Sequence, residues 1–217
     1  MKKVIAIDGP SGSGKSTISK RLAEKLGFQF LDTGALYRAI ALQLRSANLT
    51  PESSDAEIRN SLEGVTVLFK NGRVLLSSRD VSDAIRTTEA GHYASVFSAR
   101  QAVRDFLLQV QRDAALYDDI VAEGRDMTTV VFPGAWRKFY LDASVESRAR
   151  RRYLQLKEIG NPVTLEEAMN DVVKRDTRDS QREISPLKLA EDAIYIDTTS
   201  MGLDEAAAVI LKAVTED

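Results

Sequence analysis

The chain has 217 residues, 43% of them hydrophobic, with 30 Lys+Arg set against 32 Asp+Glu for a formal net charge of -2. That is enough apolar material for one substantial core with small appendages. Its charge balance gives no global attraction to nucleic acid or anionic membrane, so any basic site has to be local. With no cysteine, a disulfide framework, a thiolate metal site and a cysteine nucleophile are all excluded.

In chain order, Val4 to Asp8 is a short apolar run, followed by a glycine-rich loop and a helix whose Ile18, Leu22 and Leu26 share one face and which Gly27 ends. Phe28 to Leu31 is a second strand, and Leu36, Ile40 and Leu44 repeat the helical spacing. Val65 to Leu76 is two β-prone runs around Asn71-Gly72, a hairpin signal. Val103, Phe106, Leu107 and Val110 mark an amphipathic helix, and Ile120 to Glu123 and Lys138 to Asp142 are further strands.

An arginine cluster, Arg148, Arg150, Arg151 and Arg152, precedes a helix–loop–helix bent at Asn161-Pro162. Thr164 with Glu167 forms a capping box opening its second helix. Ile194 to Asp197 is the fifth core strand and Leu203 to Val214 a closing helix. The core strands are apolar on consecutive positions, as strands buried on both faces of a parallel sheet are. Strands alternating with helices predict an α/β doubly wound fold around a five-stranded parallel sheet. The core is expected to take residues 1–31, 101–147 and 183–217; residues 32–100 form an inserted lobe with the hairpin, and 148–182 a short helical segment rich in arginine.

Gly9-Pro10-Ser11-Gly12-Ser13-Gly14-Lys15-Ser16 fits G-x-x-x-x-G-K-[ST], and Thr17 continues it. The match follows a strand and opens a helix, as the phosphate loop requires. Its glycines let backbone N–H groups curl around phosphates, and the helix adds its positive end. Lys15 reaches the β- and γ-phosphates of ATP, and the Ser16 hydroxyl is the expected Mg²⁺ ligand. An N/T-K-x-D guanine signature is absent. A small-molecule kinase fits one compact domain with an inserted lobe better than a GTP switch or a motor.

Acceptor residues are expected at the carboxyl ends of strands. Thr33, Tyr37 and Arg38 follow the second strand, where an anion would meet a helix start and an arginine; the plainer alternative is a capped surface helix with a solvated arginine. Glu123-Gly124-Arg125-Asp126 follows the third; Arg125 is placed to bridge phosphates, and Asp126 to accept from a base amino group or orient an arginine. Arg175, Arg178, Asp179 and Arg182 fall at offsets of zero, three, four and seven, one helix face. Either a surface ion pair or part of a lid closing over the reacting phosphoryl group explains them. Lys15, Arg125, Arg151 and Arg178 are the expected catalytic residues. His92, the single histidine, is expected to be incidental.

At this point the residues match a family: the chain resembles bacterial cytidylate kinases. The runs that carry the resemblance are Ile7-Asp8-Gly9 through Thr17, Leu31-Asp32-Thr33-Gly34-Ala35-Leu36-Tyr37-Arg38, Ile85-Arg86-Thr87, Glu123-Gly124-Arg125-Asp126-Met127 through Pro133, Leu141-Asp142-Ala143-Ser144 and Lys174-Arg175-Asp176-Thr177-Arg178-Asp179, in family order. The resemblance implies ATP as donor and CMP or dCMP as acceptor. It implies that Thr33, Tyr37, Arg38 and Arg125 surround the CMP phosphate, that Ser95, Arg104 and Asp126 read the cytosine edge, and that Arg175 and Asp179 hold the ribose hydroxyls. Glu123 stands where many members have Asp, and Thr33 where Ser is common. The alternatives are a UMP or other small-acceptor phosphate-loop kinase, and a non-catalytic nucleotide sensor.

Nothing approaches the roughly 18 consecutive apolar residues of a membrane span, and the N-terminal run lacks a signal-peptide cleavage site. The expected setting is a cytoplasmic monomer acting on small molecules, with no nucleic-acid or membrane partner.

Overall fold

The computed structural model describes residues 2–70, 72–158 and 160–215. Asn71, half of the expected hairpin turn, lies outside them, as does Met1. The elements run β1 (Val4–Asp8), α1 (Lys15–Leu26), β2 (Gln29–Asp32), α2 (Thr33–Ser46), α3 (Asp55–Leu62), β3 (Val67–Lys70), β4 (Arg73–Leu76) and β5 (Arg79–Asp80). Then follow α4 (Thr88–Phe97), α5 (Gln101–Asp113), β6 (Ile120–Glu123), β7 (Arg137–Asp142), α6 (Val145–Glu158), α7 (Leu165–Gln181), β8 (Ile194–Asp197) and α8 (Leu203–Thr215).

Five strands form the expected parallel sheet, in the order β2-β6-β1-β7-β8. The chain leaves β1 toward one edge and later returns to build the other. Its switch point is therefore at the carboxyl end of β1, where ligands bind in such sheets. In register, Asp32 lies beside Glu123, and Glu123 beside Ile7, so the carboxyl ends of β2, β6 and β1 meet at one place.

The pleat sorts β1 between two cores: Val4 and Ala6 face Leu36, Ile40, Phe97 and Leu107 on one side, while Ile5 and Ile7 face Ile18, Leu22, Phe139 and Ile210 on the other. Each fully buried Leu or Ile there contributes about 1.5–3 kcal/mol. Both β1 and β6 are buried at every position. The expectation of strands buried on both faces fails at both sheet edges: in β2 Gln29 is exposed and only Leu31 is buried, and β8 leaves Ile194 and Tyr195 exposed. Each is an edge strand with one neighbour.

The hairpin β3–β4 forms as expected, with a two-residue third strand, β5, completing a small antiparallel sheet. This sheet, α3 and α4 pack into the same core as β1 and β6, through Val67, Val74, Ile58 and Phe97. The arginine cluster does not precede its helix: Arg148 to Arg152 lie within α6, which packs along α7.

Candidate active site

Asp8 ends β1 and is fully buried. Its carboxylate accepts from the backbone N–H of Met127 (2.9 Å) and of Thr128 (2.7 Å) and from the Thr128 hydroxyl (2.6 Å), pinning a widened π-helical turn at Met127–Val131 directly after the Gly-Arg-Asp run. Burial outweighs these bonds and pushes its carboxyl up to about 6. Gly9 follows with φ 147, and a Cβ there would lie 1.9 Å from the Leu141 carbonyl oxygen on β7. No other residue fits so close to the neighbouring strand.

Lys15 is buried, and its Nζ donates to the Pro10 carbonyl (2.6 Å) and the Ser13 hydroxyl (3.3 Å). Burial first, then Arg125, pushes its ammonium down to about 7. The Ser16 hydroxyl donates to Glu123 Oε1 at 2.7 Å. Burial, then Asp32, pushes the Glu123 carboxyl above its usual range in spite of Lys15 and Arg125.

On the other side, Thr33 Oγ1 donates to the Glu123 carbonyl (2.7 Å), while Asp32 caps α2 through the Ala35 N–H (2.9 Å) and holds Arg38 at 3.2 Å. Burial pushes the Tyr37 phenol up to about 12, and the Arg104 guanidinium lies 5.7 Å from its ring centre. Arg104 is buried, donates to the Ser98 carbonyl (2.9 Å) and pairs with buried Asp126. Arg125 Nε donates to Asp179 at 2.8 Å. Burial alone would raise the Asp179 carboxyl, but Arg125, Arg175 and Arg182 hold it below its usual range. Arg175 is pushed down to about 10, by burial first and by Arg125 second.

Lys15, Ser16, Glu123 and the acceptor-side groups share one cleft of about 550 Å³. It is lined by Ser11, Gly12, Gly14, Lys15, Ser16 and Thr17 from the loop; Gly9, Pro10 and Ser13 shape the loop without lining the cleft. Thr33, Tyr37, Arg38, Ser95, Arg104, Arg125, Asp126, Arg151, Arg175 and Asp179 all line it. Arg151 donates to the Thr198 carbonyl (2.5 Å), and the Thr198 hydroxyl donates in turn to the Ser13 carbonyl (3.1 Å).

Arg178 differs. It lines a second cleft between α4 and α7 and donates to the Ser95 hydroxyl at 2.6 Å, because three residues along a helix rotate it off the line joining Arg175, Asp179 and Arg182. His92 lines that second cleft too, edge-on to Tyr93. Sequence reasoning did not single out Asp8, Asp32, Ser98 or Arg152 as site residues and left Arg182 as a face member. Arg182 had a readable signal, being seven residues after Arg175. Arg152 had one as well, as a member of the arginine cluster, while Asp8, Asp32 and Ser98 had none beyond strand ends and a loop position.

The donor set fits Mg²⁺. A hydroxyl and a carboxylate oxygen meet beside the phosphate loop, and among the described residues no group of three or more His, Cys, Asp or Glu forms a cage of its own. A hard cation that keeps waters and shares phosphate oxygens needs no more than one or two protein oxygens.

A family model described as Cytidylate kinase matches residues 5–216. The cytidylate kinase of Thermodesulfovibrio yellowstonii is 54% identical over the whole of both chains. That of Thermosipho melanesiensis is 48% identical, over 98% of this chain and 96% of its own. Among solved structures, an uncharacterized protein from Eubacterium ventriosum matches over the full length of both chains at 15% identity with a TM-score of 0.55, a likeness of fold.

Proposed function

Since the chain belongs to the cytidylate kinase family, we propose that its cleft transfers the γ-phosphoryl group of ATP to CMP or dCMP, giving ADP and CDP or dCDP, by the following division of labour. The Gly9 to Thr17 loop, through the backbone N–H groups it leaves free, and the Lys15 ammonium take the donor phosphates. Ser16 and Glu123 would hold Mg²⁺, which when bound neutralises charge on the nucleotide oxygens.

Thr33, Tyr37, Arg38 and Arg125 seat the acceptor phosphate, one of whose anionic oxygens attacks the γ-phosphorus in line as the bond to the ADP oxygen breaks. The attacking oxygen carries no proton at neutral pH, so no strong general base is required. Arg125, Arg151 and Arg175 face the charge that develops on the equatorial oxygens. Arg178 serves by orienting Ser95 rather than by touching phosphate. Arg175 and Asp179 receive the ribose hydroxyls. The enzyme acts as a monomer in the cytoplasm, in pyrimidine nucleotide metabolism.

The observation that carries this reading is the buried Arg104–Asp126 pair in the cleft that also contains the phosphate loop. Cytosine presents an amino donor and an unprotonated ring nitrogen, so a carboxylate acceptor beside a guanidinium donor suits it. Uracil would leave both protein groups facing the wrong partner. ADP release measured with CMP, dCMP, UMP, AMP and shikimate tests it; turnover with another acceptor and none with CMP or dCMP would refute it. Asp126→Ala is expected to lower kcat/KM for CMP by about 10²-fold or more while changing KM for ATP little.

A further inference from the structure

Ser11, the third residue of the phosphate loop, is gripped from both sides. Its N–H donates to Asp176 Oδ1 at 3.3 Å, and its carbonyl accepts from Arg148 Nη1 at 3.2 Å. Arg148 and Asp176 also bond each other, so the pair closes a ring through the backbone of one loop residue, Ser11. Arg148 is 5% exposed, and its Nε donates to the Ala143 carbonyl at 2.8 Å. Its own backbone presses against Gly12, where a Cβ would stand 2.9 Å from the Arg148 carbonyl oxygen.

Neither residue lines the cleft. Asp176 does sit on α7 between Arg175 and Asp179, the residues through which that helix reaches the acceptor side. An ion pair that merely filled space would be replaceable by apolar groups at little cost. This one directs its remaining hydrogen bonds to the backbone of a loop whose N–H directions set the phosphate cradle.

We infer that Arg148 and Asp176 are positioning residues for phosphoryl transfer, clasping the backbone of Ser11 so that the donor loop and the acceptor-side face of α7 are set as one unit. The inference rests on the reading above for what is transferred. The clasp acts on the relative placement of two bound nucleotides rather than on the affinity of either.

Asp176→Asn keeps the shape and the acceptor oxygen for Ser11, but removes the charge and turns an amide donor toward Arg148. The experiment measures kcat and the two KM values, binding of each nucleotide alone and with the other (a non-hydrolysable ATP analogue serving as donor), and the unfolding midpoint. The expected result is a kcat lower by about 10²-fold, the usual cost of misplacement near 1 Å, with each nucleotide alone still binding to within about threefold. The effect of one nucleotide on the other's affinity is expected to vanish. Arg148→Gln should do the same and the double variant no worse than either, while Arg148→Lys, which keeps the charge, should recover part of the rate.

A folded Asp176→Asn enzyme with kcat within about threefold of the parent overturns the inference, as do losses that add in the double variant. If Asp176→Asn does not fold, Arg148→Gln is judged by the same measurements. Every ratio is taken against the parent on the same acceptor. Failure of the parent to use CMP would therefore count against the proposed substrate and leave the clasp to be judged on whichever acceptor is turned over.

Discussion

Lys15 carries its charge against burial and against Arg125, which together push its ammonium down to about 7. The cationic form is the one that binds phosphate; it is complete below that value and lost as pH rises through it. We expect kcat/KM for ATP to fall with an apparent pKa near 7 on the alkaline side, and ATP binding above pH 7 to take up a proton. Calorimetry in buffers of different ionisation enthalpy measures that uptake, and its absence would mean that Lys15 is fully charged before ATP arrives. Asp8 runs the other way in charge. Its carboxyl is raised from 3.8 to about 6 by burial, so the folded state holds its proton more tightly than the unfolded one. The stability due to the protonated form is complete below 3.8 and is lost as pH rises through about 6. Relative to Asp8→Asn, the natural protein should gain about 2 kcal/mol between pH 7 and pH 4. Denaturant unfolding at both pH values tests this, and a difference that shrinks on acidification would show that the bonds from Met127 and Thr128 dominate.

Helix α7 brings Arg175, Asp176 and Asp179 to the site, and its first turn is secured by reciprocal bonds between Thr164 and Glu167. Thr164→Ala should cost about 1 kcal/mol and speed amide exchange in that turn; kcat stays within twofold or so, since the cap lies at the opposite end of the helix from the cleft. Unprotected exchange in the natural protein would contradict it. The elements carrying strong periodicity or cap chemistry (α1, α2, α5, α7, α8 and the hairpin) were legible from sequence. Two helices were not: α3 is short and polar with two buried residues, Ile58 and Leu62, and the buried stripe of α4, Ala90, Ala94 and Phe97, is mostly small residues beside Gly91. Thr87 and Ser54 cap them by local hydrogen bonds, yet what holds both is packing on α2 and α5.

At the scale of the whole molecule, the cleft is built from the loop after β1, the starts of α2 and of the turn after β6, and α4 through α7, so segments distant in the chain share one site. CMP at 100 times its Kd should raise the unfolding midpoint by roughly 5–10 °C through about 2.7 kcal/mol of linkage, and UMP by clearly less. Equal shifts with both would argue against base selection by Arg104 and Asp126.

The phosphate loop, the individual core strands and the capping of α7 were determined by the sequence itself, because each depends on residues within a few positions of one another. The grouping of Arg104 with Asp126 on one cleft was implied by resemblance, and no local pattern contained it. What only the tertiary structure decided were contacts between distant segments: Ser16 with Glu123, Arg125 with Asp179, Ser11 with Arg148 and Asp176, and the turning aside of Arg178 to Ser95. Charged side chains on one helix face are equivalent by spacing. Which of them meets loop, partner or solvent is settled by how the helices stack on the sheet, and no local pattern encodes that stacking.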